Sequence, residues 1–417
     1  MLSISLLPKV LVVILVLAII HDVSTFRKNS LLMKSSGPSS LTDEPSATWF
    51  LDAVKTPQAD DQSDGEDTTS SATKATSSTS KSAQRDYRRI HVAHGYTQCM
   101  PHFDSDWKQA VIERNASCSR SAPFPIEETR RVGFASITTG KPIDAYQNAI
   151  LTQMFHAALH DNPIHVLCNE LSEGAWNKIA FLLNLVMEEM LKPANTRLEW
   201  IMWIDRDAII LDACRPLSSF VPPNDPAFDK IQLIINQDAY MFNAGVFMFK
   251  VSQWMIDFLN TVLAIRYYEP DTQLPLGEQS ALDIIMKKDD RKDNFVRVPW
   301  YWFNAYPDET DSVTKYKDGL EPEDLEWFRA RKGDFAVHFA GDNGRSGRMV
   351  EWEDMIKELG NVWDGKTQRD VSTEIAEYWT SWKEGRLTNK QITGEPGTEE
   401  KPQEEKQDTI ETKTEPQ

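Results

Sequence analysis

The sequence contains neither a glycine-rich phosphate loop nor a nucleophilic serine elbow. No Gly-x-Gly-x-x-Gly, Gly-x-x-x-x-Gly-Lys-Ser/Thr or Gly-x-Ser-x-Gly pattern occurs. These absences exclude the usual dinucleotide-binding domains, P-loop hydrolases and α/β-hydrolases. A site in this chain that binds a nucleotide phosphate therefore needs a metal ion where other proteins use a glycine loop.

Clusters of basic residues are also lacking. The formal net charge is −18 at pH 7, and binding to nucleic acid requires lysine and arginine to neutralise phosphates. Nucleic acid is therefore not a predicted partner.

Cysteine is scarce, with four residues in the chain of 417. They are too few and too dispersed for a small disulfide scaffold, and they lack zinc-ligand spacing. A Cys99–Cys118 bridge would close a short loop before the first predicted strand. Three pairings are open, however, and the sequence does not choose among Cys99, Cys118, Cys168 and Cys214.

Both ends lack the large apolar residues that a core requires, apart from the extreme N-terminus. Eleven of the fifteen residues from Thr68 to Ser82 are serine or threonine, which is typical of a disordered spacer. The C-terminal tail is acidic and has no aromatic residue. We therefore predict a membrane anchor at 1–25, a disordered stem at 26–85, one catalytic domain at 86–391 and a disordered acidic tail at 392–417.

The apolar run at the N-terminus predicts entry into the secretory pathway. Val10 to Ile20 carries no charge, and Leu2 to Ile20 spans a thin bilayer if Lys9 snorkels. No clear cleavage site follows, so an uncleaved single-pass anchor is favoured over a cleaved signal peptide or a buried core helix. The tripeptide Asn115-Ala116-Ser117 is then a candidate N-glycosylation site.

Apolar periodicity in the central region alternates between strands and helices. This βαβαβ order predicts an α/β fold, a Rossmann-like and mostly parallel sheet flanked by helices. The predicted strands are residues 131–138, 163–167, 199–204, 231–235, 246–249 and 335–339. The predicted helices are residues 145–160, 176–192, 252–267 and 277–286.

The segment from Trp200 to Ile204 is the most informative strand, because Asp205 and Asp207 follow it directly. Ligands of open α/β sheets collect at the carboxyl ends of strands. Two carboxylates there suit a divalent cation that also binds substrate phosphates. The alternative is an acidic turn that merely ends the strand.

Five segments, in this order, resemble one family of glycosyltransferases. The family contains fungal α-galactosyltransferases, α-1,6-mannosyltransferase subunits and xyloglucan xylosyltransferases (glycosyltransferase family 34). The segments are Gly174-Ala175-Trp176-Asn177-Lys178, Trp200 to Asp212, Asn243-Ala244-Gly245-Val246-Phe247-Met248 with Trp254, Gly277-Glu278-Gln279-Ser280-Ala281 and His338-Phe339-Ala340-Gly341.

The resemblance implies a GT-A fold, a nucleotide-sugar donor, Mn²⁺ as cofactor and transfer with retention at the anomeric carbon. Asp205 and Asp207 match the metal-binding Asp-x-Asp, and His338 matches the histidine that completes the protein ligands. An imidazole beside carboxylates suits Mn²⁺ better than Ca²⁺ or Mg²⁺. Read without the family, His338 is a structural histidine at a strand end.

Further residues match the donor-binding and catalytic positions of the family. Glu278 and Gln279 match the pair beside the anomeric carbon, although Glu278 also fits a simple helix N-terminal acid. The predicted donor-binding residues, besides Asp205, are Lys178, Asn243, Gly245 and Arg345. Taken without the family, each of the two basic residues is better explained as a solvated surface charge. Trp254 and the Trp300-Tyr301-Trp302 segment are either acceptor platforms or core.

Arg206 and Asp342 depart from the family pattern, which leaves the donor sugar open. The leading prediction is a Golgi, single-pass type II hexosyltransferase that moves galactose from UDP-galactose onto a mannose-containing glycan in the lumen. The alternatives are an α-mannosyltransferase that uses GDP-mannose and a catalytically silent, sugar-binding member of a glycosyltransferase complex.

Overall fold

A computed structural model describes residues 87–238, 241–309, 311–319, 325–341, 344–365 and 368–396. The predicted anchor and stem, and the acidic tail beyond residue 396, lie outside these ranges. Within them, no helix combines the length and the apolar character needed to cross a bilayer.

The described residues form nine strands and nine α-helices. The strands are β1 His91–His94, β2 Val132–Ile137, β3 Ile164–Leu167, β4 Trp200–Ile204, β5 Ala208–Ile210, β6 Leu233–Ile235, β7 Val246–Lys250, β8 Phe295–Arg297 and β9 Ala336–His338. The helices are α1 Ser105–Ser121, α2 Asp144–His160, α3 Trp176–Met190, α4 Gln253–Tyr268, α5 Glu278–Met286, α6 Ser312–Asp318, α7 Arg345–Leu359, α8 Ser372–Lys383 and α9 Asn389–Thr393.

Seven strands form the main sheet in the order β1-β3-β2-β4-β7-β6-β8. The first four are parallel to one another, β7 is antiparallel to β4 and β6, and β6 is parallel to β8. The predicted α/β architecture with a mostly parallel sheet is therefore confirmed. Each predicted strand and helix is present, with ends within two residues of those expected.

Helices cover both faces of the sheet, which explains the continuous apolar sequence of β4. Ile201 and Trp203 pack with residues of α3, α4 and α5. Trp200, Met202 and Ile204 point to the opposite face and pack with α1, α2 and α7. The alternation follows from the two-residue period of a strand.

Strand β5 leaves the main sheet just after Asp207 and pairs with β9 in a separate two-stranded sheet. The pairing is antiparallel, with Ala208 opposite His338, and the Phe339 amide donates to the Asp207 carbonyl at 3.0 Å. The predicted final strand thus exists, and its place beside the Asp-x-Asp segment was not foreseen.

Two disulfides join distant segments: Cys99 to Cys168 and Cys118 to Cys214. The Cys99–Cys118 bridge considered from the sequence is therefore wrong. Cys118 lies on α1, as does Asn115 of the candidate glycosylation site, while the Ser117 hydroxyl bonds to Asp364 at 3.0 Å. The first bridge ties the segment after β1 to the end of β3.

Glu353 is a buried acid between two helices. It lies on α7, is 2% exposed and accepts a hydrogen bond from Asn148 of α2 at 3.0 Å. Burial raises the pKa of Glu353 to about 8. The carboxyl group is therefore protonated in the folded protein at neutral pH, whereas it ionises near pH 4.5 when unfolded.

Because the folded pKa is raised, the stability that Glu353 contributes is present below pH 4.5 and is lost as pH rises through 8. Ionisation of Glu353 should lower the free energy of unfolding of the wild-type protein by about 2–4 kcal/mol between pH 4.5 and pH 8. Glutamine does not ionise, so we expect Glu353→Gln to avoid this loss and to be more stable than the wild type at pH 8.5. Denaturant unfolding at pH 5 and pH 8.5 measures it. Glu351→Gln, at an exposed position of the same helix, is the control; an equal change in both variants would contradict the prediction.

Candidate metal and donor site

The carboxyl end of β4 carries the candidate metal ligands. The Asp205 amide donates to the Gly245 carbonyl at 2.8 Å, which fixes the backbone where the strand ends. One ligand atom each from Asp205, Asp207 and His338 lies within 4.8 Å of the others. The structure therefore brings together the three residues that the sequence proposed as metal ligands.

A network of amides fixes the orientation of the His338 ring. The Gly245 amide donates to Oδ1 of Asn243 at 2.9 Å, and Nδ2 of Asn304 donates to that oxygen and to Oδ1 of Asn236. Oδ1 of Asn304 must then accept from Nδ1 of His338, at 2.8 Å. His338 therefore carries a proton on Nδ1, and Nε2 is the nitrogen available to a metal.

Nε2 of His338 lies 3.5 Å from Oδ1 of Asp207. When His338 is neutral, this places a lone pair beside a carboxylate oxygen, and a shared cation relieves the repulsion between two such acceptors. A proton is one such cation. Burial raises the pKa of Asp207, but contact with His338 and the charge of Arg345 lower it to about 2. A divalent metal is the other cation that fits this donor set.

Gly245 lies directly against the His338 ring. A Cβ at position 245 would be 2.7 Å from Nε2 and 2.9 Å from Nδ1 of His338, and closer still to Cε1. The sequence predicted Gly245 only as a donor-binding residue. The structure shows that it makes room for the imidazole.

Lys178 links the Asp-x-Asp segment to the catalytic candidate Glu278. Its buried Nζ lies 3.3 Å from Oδ1 of Asp205 and 3.3 Å from Oε1 of Glu278, and it donates to the Ala244 carbonyl at 2.7 Å. Burial lowers the pKa of Lys178, but the two carboxylates outweigh burial and the pKa is raised. Three acceptors engage the ammonium, so Lys178 holds protein groups where the sequence suggested a diphosphate.

The two arginines near the Asp-x-Asp segment have different partners. Arg345, at the start of α7, forms an ion pair with Oδ2 of Asp207, which leaves Oδ1 facing His338. Arg206 turns away: its guanidinium lies 4.4 Å from the Tyr146 ring centroid and donates to the Thr139 carbonyl. A large residue is therefore accommodated between the two aspartates without displacing either.

The remaining predicted residues lie around this group. Oε1 of Gln279 accepts from the Ala244 amide at 2.9 Å, which orients its amide nitrogen away from Ala244. Nδ2 of Asn243 donates to Asp238 and to the Tyr306 hydroxyl, so Asn243 is a member of the network under His338. The sequence did not identify Tyr306, Asn304 or Asn236, whose roles depend on contacts far apart in the chain.

The aromatic segment Trp300-Tyr301-Trp302 belongs to the core. The three side chains are at most 8% exposed, and both Tyr301 and Trp302 bond to Glu374. Trp254 is half-buried and stacks on Phe258, with centroids 5.0 Å apart. Of the two interpretations of Trp300–Trp302, the structure therefore favours packing over an acceptor platform.

A central strand that ends in two carboxylates, with a histidine supplied by a second sheet, defines an α/β protein with a candidate divalent-metal site. Residues 223–347 match the model of the galactosyl transferase GMA12/MNN10 family. The match confirms the resemblance for this part of the chain. The match includes Glu278, His338 and Arg345, whereas the Asp-x-Asp segment precedes it.

The chain is also similar to curated plant proteins. It is 23% identical to xyloglucan 6-xylosyltransferase 4 of Arabidopsis thaliana over 231 residues, which are 48% of this chain and 42% of that protein. It is 31% identical to probable glycosyltransferase 7 of Oryza sativa over 83 residues, 19% of each chain. The matches therefore span less than half the length of these relatives.

Two solved structures show weaker likeness. A glycosyltransferase involved in glycosylation of the PBCV-1 major capsid is 15% identical, with a TM-score of 0.38 over 52% of this chain and 98% of that one. The glycosyltransferase GlyE of Streptococcus pneumoniae TIGR4 is 14% identical, with a TM-score of 0.31 over 61% and 64%.

Proposed function

We propose that this protein is a metal-dependent, retaining glycosyltransferase with a GT-A fold, which transfers a hexose from a nucleotide sugar to a glycan. The observation that carries the proposal is the Asp205, Asp207 and His338 group, whose ligand atoms lie within 4.8 Å of one another in a chain whose residues 223–347 match this family. The link from Asp205 through Lys178 to Glu278 supports it, because it joins the metal ligands to a reactive carboxylate.

Asp205, Asp207 and Nε2 of His338 would hold the metal, and Mn²⁺ suits their mixed oxygen and nitrogen donors. When bound, the cation supplies charge neutralisation for the departing diphosphate. Asn304 holds the ring orientation and the tautomer of His338 in which Nδ1 carries the proton and Nε2 faces the ligand site. Arg345 neutralises the second oxygen of Asp207.

Glu278 and Gln279 act on the sugar in this proposal. The oxygen of an acceptor hydroxyl bonds to the anomeric carbon while the bond from that carbon to the diphosphate breaks. The nucleoside diphosphate leaves with the electron pair and takes up the hydroxyl proton on its departing oxygen. Positive charge develops on the ring in the transition state, and the Glu278 carboxylate stabilises it. The Gln279 nitrogen, directed away from Ala244 by the fixed amide oxygen, donates to substrate.

The proposed donor is UDP-galactose, the acceptor a mannose-containing glycan and the location the Golgi lumen. The two disulfides support a lumenal domain, because disulfides persist in oxidising compartments. The complete arrangement of acids, histidine and lysine supports activity over a silent scaffold role.

Activity is tested by incubating the purified full chain with Mn²⁺ and, in turn, UDP-galactose, UDP-xylose, UDP-glucose and GDP-mannose. Release of nucleoside diphosphate and labelled glycan are measured. Turnover with UDP-galactose supports the proposed donor, and turnover with GDP-mannose alone selects the mannosyltransferase. No turnover with any donor, together with sugar binding, would support the silent member.

Removal of the Asn304 side chain is expected to weaken metal binding about 10- to 100-fold. In Asn304→Ala the His338 ring loses the acceptor that fixes its Nδ1 proton and its orientation. Titration of the apoprotein with Mn²⁺, followed by electron paramagnetic resonance, measures the effect without turnover. Asn294→Ala, at a half-buried position where Nδ2 donates to the Lys230 carbonyl, is the control. Unchanged Mn²⁺ affinity in Asn304→Ala would contradict this role.

Topology provides a further prediction. We expect an uncleaved anchor with a cytosolic N-terminus, so that deletion of residues 1–84 releases an active, soluble enzyme. Membrane fractionation measures anchoring, N-terminal sequencing measures cleavage, and glycosidase treatment measures whether Asn115 carries a glycan. A mature chain that starts near Phe26 and carries no glycan at Asn115 would show that the anchor prediction is wrong.

A further inference from the structure

Exposed apolar side chains concentrate at one edge of the main sheet. Five of the nine large apolar residues that stand exposed among the described residues follow β1 or β3, end α4 or lie between α4 and α5. With the half-buried Trp176 they form what we call the aromatic rim: Tyr96, Leu171, Trp176, Tyr267, Tyr268 and Leu276. Tyr267 and Tyr268 are 73% and 63% exposed.

The topology places the rim at the edge that carries Asp205. Strands β1 and β3 are parallel to β2, and β2 to β4, so the loops after β1 and β3 leave at the carboxyl end of β4. Strand β7 runs the other way, and α4 returns to that same edge before α5 begins. An ion pair between Arg266 at the end of α4 and Glu173 after β3 confirms the return.

Covalent and hydrogen bonds hold the rim loops in place. The Cys99–Cys168 disulfide joins the loops after β1 and β3, and Oδ1 of Asn169 accepts from the Tyr96 amide at 2.7 Å. Oδ1 of Asn177 accepts from the Leu171 amide at 2.6 Å. The exposed rings are therefore carried on a fixed frame, which reduces the entropy lost when a ligand binds.

The rim is continuous with the candidate active site. Trp176 lies two residues before Lys178 in the first turn of α3, and Leu276 lies two residues before Glu278. Nζ of Lys178 is 3.3 Å from both Asp205 and Glu278, so the backbone that carries Trp176 and Leu276 lies beside the candidate active site. Residues two apart on a helix point to different sides, so Trp176 faces away from Lys178 and toward Arg266.

The chemistry of the rim fits a neutral, hydroxylated ligand. Arg266 lies 4.1 Å from the ring centroid of Trp176 and 5.3 Å from that of Tyr267, and Glu173 neutralises it. The rim therefore has no basic surplus that would attract an anionic lipid. Neighbouring helices lie 8–10 Å apart and strands about 4.8 Å apart, so the rim spans roughly 15–20 Å, which is longer than one hexose.

We propose that the aromatic rim is the acceptor-binding surface and that the acceptor is an extended oligosaccharide. The inference rests on the proposed function and deepens it: sugar rings pack their C–H faces on Tyr267, Tyr268 and Trp176 while one hydroxyl reaches the centre beside Glu278.

The experiment compares the full chain with Tyr267→Ser/Tyr268→Ser. Transfer to linear mannose and glucose hexasaccharides and to the matching disaccharides is measured, together with donor hydrolysis without acceptor. We expect the double variant to raise KM for the hexasaccharide about tenfold or more, and KM for the disaccharide less. Donor hydrolysis and kcat should stay at wild-type values. Leu191→Ser and Ile112→Ser, exposed but outside the rim, are the controls.

The outcomes separate this inference from the proposed function. If the wild-type protein hydrolyses no nucleotide sugar, the proposed function itself fails. If it hydrolyses a donor but neither hexasaccharide accepts sugar, the oligosaccharide class is wrong. If the wild-type enzyme is active and the double variant has the same KM for the hexasaccharide, the aromatic rim is not the acceptor-binding surface. An equal rise in KM in the two control variants would overturn the proposal as well.

Discussion

Asp205→Asn and Asp207→Asn are each expected to lower the rate of sugar transfer at least about 10³-fold, with little loss of stability. Asparagine keeps the shape of each side chain but removes the negative charge that binds the cation. Lys178 remains paired with Glu278 and the Ala244 carbonyl when Asp205 changes. The ion pair lost from Asp207 involves an Arg345 side chain that is 35% exposed, so it contributes little.

Initial rates, Mn²⁺ titration and thermal unfolding of the same preparations measure these effects. Asp229→Asn is the matched control. Asp229 is 76% exposed, and its Oδ1 lies 3.3 Å from Nζ of Lys250, an ion pair far from the site. Transfer at the wild-type rate by either site variant would rule out the metal interpretation. Unfolding of the variants would instead assign the aspartates a structural role.

Gly245→Ala is the second change with a large expected effect. Its φ is not positive, so alanine fits the backbone, and the entire effect comes from overlap of the new methyl group with the His338 ring. We expect a loss of about 1–3 kcal/mol in stability. Displacement of Nε2 should also lower Mn²⁺ affinity and transfer at least about 100-fold.

A double-mutant cycle isolates this contact. In a His338→Ala background the ring is absent, so Gly245→Ala should cost little further stability. Gly347→Ala provides the matched control, since a Cβ there meets nothing within 4 Å. Gly347 lies in helix α7, where alanine is more stabilising than glycine by up to about 1 kcal/mol. Equal destabilisation by Gly245→Ala in both backgrounds would contradict the steric explanation.

The sequence predicted the central part of the fold because that information is local. The apolar run from Trp200 to Ile204 reads as a doubly covered strand wherever it occurs, and Asp205 and Asp207 follow it without a gap. The helices that bury a long apolar stripe, such as α3, were predicted for the same reason. Short or polar elements, including β1, β8 and α6 to α9, were not.

What the sequence missed arises from contacts between distant segments. Asn304 matters because it bonds at once to His338, Asn236 and Asn243, and no local pattern encodes that convergence. Lys178 looked like a phosphate ligand until its ammonium was found between two carboxylates. The disulfide partners were equally undetermined, since spacing alone does not bring two sulfurs together.

The pairing of β5 with β9 has a consequence for how the protein acquires its site during synthesis. Roughly 130 residues separate Asp207 from His338, and closing a loop of that length costs entropy before any contact compensates it. The ribosome releases the N-terminal strands and the Asp-x-Asp segment first. A nascent chain therefore carries two of the three candidate metal ligands until His338 emerges in the last quarter, and cation capture reports completion of the domain.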